Sequence, residues 1–184
     1  VTALRRAFVA VAPADPVLDV LEARVADLAA REPRLRWMPR PHWHLTLQFL
    51  GAVEDAEALS AAVAAAVAVP RFDVQLAGGG AFPSPRRATV LWVGVPRADA
   101  LVALAAAVHD ATRTLGYPDD GRPYHPHLTL ARTPRPRPLT HLVEALGTTP
   151  IGPPWTVTDV AVIESDTRPT GAVHTVRDQH PLGP

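Results

Sequence analysis

Two six-residue stretches of this chain are nearly the same. His42-Trp43-His44-Leu45-Thr46-Leu47 and His125-Pro126-His127-Leu128-Thr129-Leu130 agree at five of six positions and lie 83 residues apart. Four of the eight histidines fall in these two copies, a concentration that core packing does not account for. Both copies alternate as strands do, and on a strand residues i and i+2 share a face. His44 therefore points with Thr46, and His127 with Thr129. Brought side by side, the two strands surround one small volume with two imidazoles and two hydroxyls. Imidazole titrates near neutral pH, so one ring can be neutral while the other is protonated. Hydroxyls donate hydrogen bonds without adding charge. The set suits a phosphodiester: one His activates a nucleophile, the other protonates the leaving oxygen, and the Thr hydroxyls hold the non-bridging oxygens.

The surrounding pattern supplies the elements that must bring the copies together. Leu4 to Ala12 reads as a buried strand, and Asp15 as the cap of a helix with Pro16 in its first turn. Val17, Leu21, Val25 and Leu28 recur at helical spacing. Arg34 to Met38 is a short strand. In the strand His42 to Leu50, His44, Thr46 and Gln48 point one way and Leu45, Leu47 and Phe49 the other, until Gly51 stops it. Glu54 to Val69 is an Ala-rich helix, Arg71 to Leu76 alternates, Gly78 to Gly80 breaks the chain, and Thr89 to Val95 is an apolar strand. A helix over Asp99 to Leu115 places Leu101, Leu104, Val108 and Leu115 on one face, with Gly116 ending it. The second half continues with a turn at Asp119–Pro123, a strand at His127–Ala131, a Pro-rich loop at Arg132–Pro138 and a short helix ending at Leu146. A strand over Thr156–Glu164, a turn at Arg168–Gly171 and a strand over Val173–His180 close it. Interleaved helices, strands and hairpins specify an α+β fold rather than a doubly wound sheet, built as two half-domains around a central cleft. The glycines at 78–80 lack the Lys-Ser/Thr of a phosphate-cradling loop.

Composition narrows the classes. The chain has 184 residues, 47% of them apolar, enough for a core that needs neither disulfide nor structural zinc. It has no Cys, which removes thiolate metal sites and Cys nucleophiles and fits a reducing, cytoplasmic setting. Eighteen basic residues, all Arg, balance eighteen acidic ones, so non-specific coating of nucleic acid is not expected. Arg31, Arg34, Arg36 and Arg40 nevertheless precede the first motif, and Arg132, Arg135 and Arg137 follow the second. If the motifs meet, the cleft between them is locally positive. The longest apolar run, Ala61 to Val69, is far short of the roughly 20 residues a bilayer span needs, so no membrane partner is expected.

The paired His-x-Thr motifs resemble the 2H phosphoesterase superfamily. The extended stretches Thr46-Leu47-Gln48-Phe49-Leu50-Gly51, Pro123 to Arg132 and Arg6-Ala7-Phe8-Val9-Ala10 are similar to its bacterial and archaeal RNA 2′,3′-cyclic phosphodiesterases, also called 2′-5′ RNA ligases. Ala7, Ala131 and His174 depart from the larger apolar or aromatic residues common there. The resemblance implies one bilobal α+β domain over residues 1–184 with pseudo-symmetric halves, antiparallel sheets flanking the cleft and helices outside. It implies no metal and no cofactor, and hydrolysis of a terminal RNA 2′,3′-cyclic phosphate to a 2′-phosphate. By motif position His44 is the proton donor, His127 the proton acceptor, and Thr46 and Thr129 the phosphate ligands. With a 5′-hydroxyl in place of the attacking water, the same site joins RNA by a 2′-5′ linkage. RNA 3′ ends or small nucleotides bearing the cyclic phosphate are the expected partners of a monomer.

Other residues carry weaker expectations. Arg132 can fork onto phosphate or stack on a base, while Tyr124 and Phe8 are packing residues that could also meet a terminal base. His42 and His125 share the catalytic face by parity but read as supporting or solvated residues, and His109 as a surface residue. His141, His174 and His180 have no motif partner. Two other classes stay open: a metal hydrolase using His-x-His as a chelate, and a module that binds nucleotides on the same fold without turnover.

Overall fold

β1 (Leu4–Val11) is apolar on both faces, and the two faces serve different purposes. Ala7, Val9 and Val11 enter the main core, whereas Phe8 and Ala10 join Ala161 and Ile163 in a small apolar cluster on the other side. The computed structural model describes residues 2–118, 121–168 and 171–184. Asp119, Asp120, Pro169 and Thr170, which belong to two of the expected turns, lie outside the described residues.

α1 (Asp15–Arg31) buries Val17, Leu21, Val25 and Leu28 at the expected spacing. Asp15 is not its cap. Ala14 occupies the capping position, and Asp15 sits in the first turn, 3.0 Å from the Arg40 guanidinium. β2 (Arg36–Trp37), a 3₁₀ turn at Arg40–His42, β3 (Leu45–Val53), α2 (Ala56–Ala66) and β4 (Phe72–Ala77) complete the first half. α2 is capped by Asp55, whose carboxylate accepts from the Glu57 and Ala58 amides. β5 (Gly79–Phe82) and a 3₁₀ turn at Pro85–Arg87 lead to the second half. There β6 (Ala88–Gly94), α3 (Asp99–Arg113), β7 (His127–Arg137), α4 (Thr140–Leu146) and β8 (Pro150–Val157) repeat the order of the first. The hairpin β9 (Asp159–Arg168) and β10 (Gly171–Pro181) closes the fold.

The main sheet runs β10-β9-β1-β3-β7-β6-β5, with β2 also paired to β7, and every neighbouring pair is antiparallel. β3 and β7 sit at its centre, flanked by β1 and β6, the arrangement a repeated half requires. β4 and β8 form a separate ribbon. The helices lie on one side: α1 packs on β8, α2 on α3, α3 on β3 and α4 on β5. The architecture is thus α+β, as expected. Among the described residues no helix is long and apolar enough to cross a membrane.

Several boundaries differ from expectation for physical reasons. β3 passes through Gly51 to Val53 because Gly51, at φ +74°, sits opposite Ala7 at a register shift instead of ending the strand. The stretch 132–138, expected as a loop, is strand through Arg137. Pro134 and Pro136 are two apart, so their missing N–H groups lie along one edge and leave the strand intact. The expected strand over Thr156–Glu164 is two: β8 pairs with β4 and β9 with β1, parting at Thr158. Leu115 lies beyond α3 and is exposed.

The expected break at Gly78 to Gly80 narrows to Gly78, at φ +80°, which separates β4 from β5. Gly79 and Gly80 belong to β5, and each admits a neighbour. A Cβ on Gly79 would lie 2.6 Å from Leu146 Cβ on α4, and one on Gly80 would overlap the Trp92 ring. Gly80 thereby lets Trp92 lie flat across β5. Gly80→Ala is expected to cost roughly 1–3 kcal/mol in urea unfolding. Unchanged stability would contradict this packing.

Candidate active site

β3 and β7 meet through one residue pair, Leu45 with Leu128, both fully buried. In an antiparallel pair the flanking residues face the other side and cross over. His44 therefore stands opposite Thr129, and Thr46 opposite His127. Each imidazole faces the hydroxyl of the other copy. All four side chains line one cleft of about 820 Å³.

The backbone aims both rings. His127 Nδ1 lies 2.7 Å from the His125 carbonyl oxygen and donates to it, which leaves Nε2 as the basic nitrogen. The His44 ring hydrogen-bonds to the backbone of His42, again two residues upstream. Aromatic walls hold the ring planes. His44 stacks on Phe8, with ring centroids 4.7 Å apart, and meets the edge of His174 at 5.4 Å. His127 meets Phe82 edge-on at 4.9 Å, with Trp92 at 6.0 Å. His42 stacks on His174 at 4.2 Å, and His125 lies 4.7 Å from Trp92.

This packing favours neutral imidazoles. Burial, reinforced by His174, His42 and Arg132 and opposed by the bond to the His42 backbone, pulls His44 down to about 3. Burial also lowers His127, opposed by the bond to the His125 carbonyl and reinforced by the His125 ring and Arg132. His174 falls to about 4 through burial, then His42 and Arg6. Among the described residues no three His, Asp or Glu side chains gather to hold a metal ion.

Phe8 and Arg132 line the cleft; Tyr124 does not. It packs against the main core, where burial raises its phenol and leaves its hydroxyl without a hydrogen-bond partner. Of the arginines flanking the motifs only Arg36 and Arg132 reach the cleft. Arg31 pairs with Asp27, Arg40 with Asp15, Asp19 and Glu22, and Arg137 with Glu32.

The cleft also holds Arg6, Phe49, Ser165, Thr167 and His174, which sequence reading did not place there. Arg6 shares parity with Phe8 on β1, a signal present in the sequence. His174 comes from β10, 130 residues beyond His44, with no local signal to connect them. Phe49 was expected on the core face. Val9 pairs with Gln48 and Ala10 with Thr46, which leaves Leu47 as a bulge that reverses the alternation. Gln48 turns inward, where Thr112 Oγ1 donates to its Oε1 at 2.6 Å and its Nε2 donates to the Tyr117 carbonyl at 3.2 Å. His109, expected at the surface, places Nε2 3.0 Å from the carbonyl of Leu47 itself. Phe49 then faces the cleft, opposite Phe8 and 64% exposed.

An antiparallel sheet centred on two His-x-Thr strands with helices behind it is the architecture of a 2H phosphoesterase. A solved structure of a protein from Thermus thermophilus superposes with a TM-score of 0.78 at 27% identity, covering 96% of this chain and 97% of that one. The profile of the 2′-5′ RNA ligase superfamily matches residues 13–169. An RNA 2′,3′-cyclic phosphodiesterase of Aeropyrum pernix is 36% identical over 107 residues, 57% of this chain and 61% of that protein. Another of that name, from Aquifex aeolicus, is 30% identical over 156 residues, 80% of this chain and 82% of its own length. The chain belongs to the 2′-5′ RNA ligase superfamily.

Imidazoles held neutral by the fold make stability depend on pH. The unfolded chain takes up protons at these rings near pH 6.5, while folded His174 does so only near 4. Between those values the unfolded state binds more protons, so stability falls as pH falls. His174→Phe removes one such group and is expected to flatten that decline in urea unfolding at pH 4 to 7. An unaltered slope would mean that His174 titrates normally.

Proposed function

We propose that this chain hydrolyses the 2′,3′-cyclic phosphate at an RNA 3′ end to a 2′-phosphate, with His44 as general acid and His127 as general base. The observation that carries the reading is the crossed pairing of two His-x-Thr strands in one positive cleft. The related proteins named as RNA 2′,3′-cyclic phosphodiesterases support the choice of substrate. All the groups required come from one chain, which supports a monomer acting as a single catalytic domain. The absence of Cys is compatible with a cytoplasmic setting.

In the reaction, His127 Nε2 takes a proton from water as the water oxygen attacks phosphorus. The bond from phosphorus to O3′ breaks on the opposite side, and protonated His44 gives its proton to O3′. The products are a 2′-phosphate and a free 3′-hydroxyl. Thr46 and Thr129 donate to the non-bridging oxygens, and Arg132 adds positive charge. The two rings begin in opposite protonation states, yet burial disfavours the charged form of both. The substrate's own negative charge stabilises an imidazolium and raises His44 from its low resting value. Binding and activation are thereby coupled. Phe49, exposed on the cleft face, offers a ring on which the terminal base can stack.

His44→Ala and His127→Ala are each expected to abolish nearly all turnover of a cyclic-phosphate-ended RNA, with the double variant little worse, because both act in one transition state. Thr46→Ala and Thr129→Ala are expected to lose roughly ten- to a hundred-fold, the value of one hydrogen bond to a charged group. Ser at either position restores most of that. Full activity in a single His variant would contradict the two-histidine mechanism, and equal Ala and Ser variants would make the threonines packing residues.

Imidazole resonances followed by NMR give a second check. In the free protein His44 is expected to titrate far below 6.5, and to move upward when a nucleoside 2′-phosphate is bound. No movement would mean that His44 does not face the phosphate.

A further inference from the structure

The cleft carries more positive charge than one cyclic phosphate uses. Arg6, Arg36, Arg132 and Arg168 line it, and among the described residues no Asp or Glu does. Arg168 is paired with Asp166 at 3.0 Å. Among the described residues no carboxylate pairs with Arg6, Arg36 or Arg132. Arg36 and Arg132 stand directly opposite each other where β2 pairs with β7, an arrangement that repels in the empty protein. A nucleoside cyclic phosphate brings one negative charge, and Arg132 with protonated His44 already exceeds it. Arg6 and Arg36 are left over.

Their positions lie to one side of the reacting centre. Arg132 follows the second His-x-Thr motif on β7 and acts electrostatically on both His44 and His127. Arg36 acts on His42, and Arg6 on His174, the two rings that stack on each other beside His44. The Arg36 guanidinium also extends to the β9–β10 hairpin, where a Cβ on Gly171 would lie 3.8 Å from its Nη2. Arg6 stands beside Ser165 on the same flank, since Ala7 pairs with Glu164. Two unpaired guanidiniums thus act on the His42–His174 stack, in the same cleft as Thr46 and Thr129.

We infer that Arg36, assisted by Arg6, forms a second anion subsite that takes the phosphodiester on the 5′ side of the terminal nucleotide. The inference rests on the hydrolase reading above and refines it: the cleft is built for the end of an RNA chain, not for a free nucleoside cyclic phosphate. The added phosphate supplies the charge that the two arginines lack, and relieves the repulsion between Arg36 and Arg132.

The test compares adenosine 2′,3′-cyclic phosphate bearing a 5′-hydroxyl with the same nucleotide bearing a 5′-phosphate, and with a cyclic-ended dinucleotide. The native protein is expected to favour the two substrates that carry a second phosphate by roughly ten- to a hundred-fold in kcat/KM, the value of a charge-assisted hydrogen bond. Arg36→Gln is expected to reduce that ratio to within about threefold, chiefly through KM, and Arg36→Lys to retain part of it. The exposed Arg34→Gln is expected to leave the ratio as it is. For the dinucleotide, the slope of log kcat/KM against log salt is expected to flatten by roughly 0.7 in Arg36→Gln. Its Tm is expected not to fall, because the change removes a repulsive pair. If Arg36→Gln unfolds, the Arg36→Lys ratio decides. A native ratio near one, or a ratio unaltered by either Arg36 variant, overturns the subsite while leaving the hydrolase reading intact. No turnover of any of the three substrates overturns the hydrolase reading itself.

Discussion

One antiparallel contact governs this molecule. Leu45 and Leu128 pair at the centre of the main sheet, and that pairing alone joins β3 to β7. Because both leucines are buried in the core, the residues on either side of each must face the cleft. The register sets His44 against Thr129 and His127 against Thr46. A slip of one residue in either strand would send its imidazole into the core and its leucine into water. Burial of two leucines, a strongly favourable term of roughly 1.5–3 kcal/mol each, therefore also sets the geometry of the polar site.

The two half-sites share a backbone but not an environment. Each imidazole bonds to the backbone two residues before it, a consequence of the repeated local sequence. Around His44 the wall is Phe8 and His174; around His127 it is Phe82 and Trp92, admitted by Gly80. The remainder of the cleft comes mostly from the first half and the β9–β10 hairpin, including Arg6, Phe49, Ser165 and Thr167. On the proposed mechanism, a substrate body held on that flank would break the equivalence of the two histidines and give them different tasks.

The core of the site was readable because the repeat lies within short, contiguous strands. Alternation set His44 with Thr46 and His127 with Thr129, and all four line the cleft. Arg132 did not follow from it: it shares parity with Leu128 and Leu130, and reaches the cleft because Leu130 is left unpaired between the Leu91–Ala131 and Trp92–Thr129 pairs. What escaped was non-local. His174 reaches the site only because β10 pairs with β9, β9 with β1, and β1 with β3. Phe49 escaped because a bulge at Leu47 reverses parity, and the Gln48–Thr112 bond that accompanies it spans 64 residues. Tyr124, read as a packing residue, does pack against the core, and its second expected use, contact with a terminal base, has no support from the cleft lining. The flanking arginines show the same limit, since carboxylates on α1 divert Arg31 and Arg40 before they can reach the cleft.

Which histidine faces the leaving oxygen decides where the product carries its phosphate. Hydrolysis of a cyclic-ended dinucleotide, followed by phosphorus NMR of the product, reads this directly. With His44 at O3′ and His127 at the water, the product carries its phosphate on the 2′-oxygen. A product carrying it predominantly on the 3′-oxygen would contradict the assignment, because it requires the two half-sites to exchange roles.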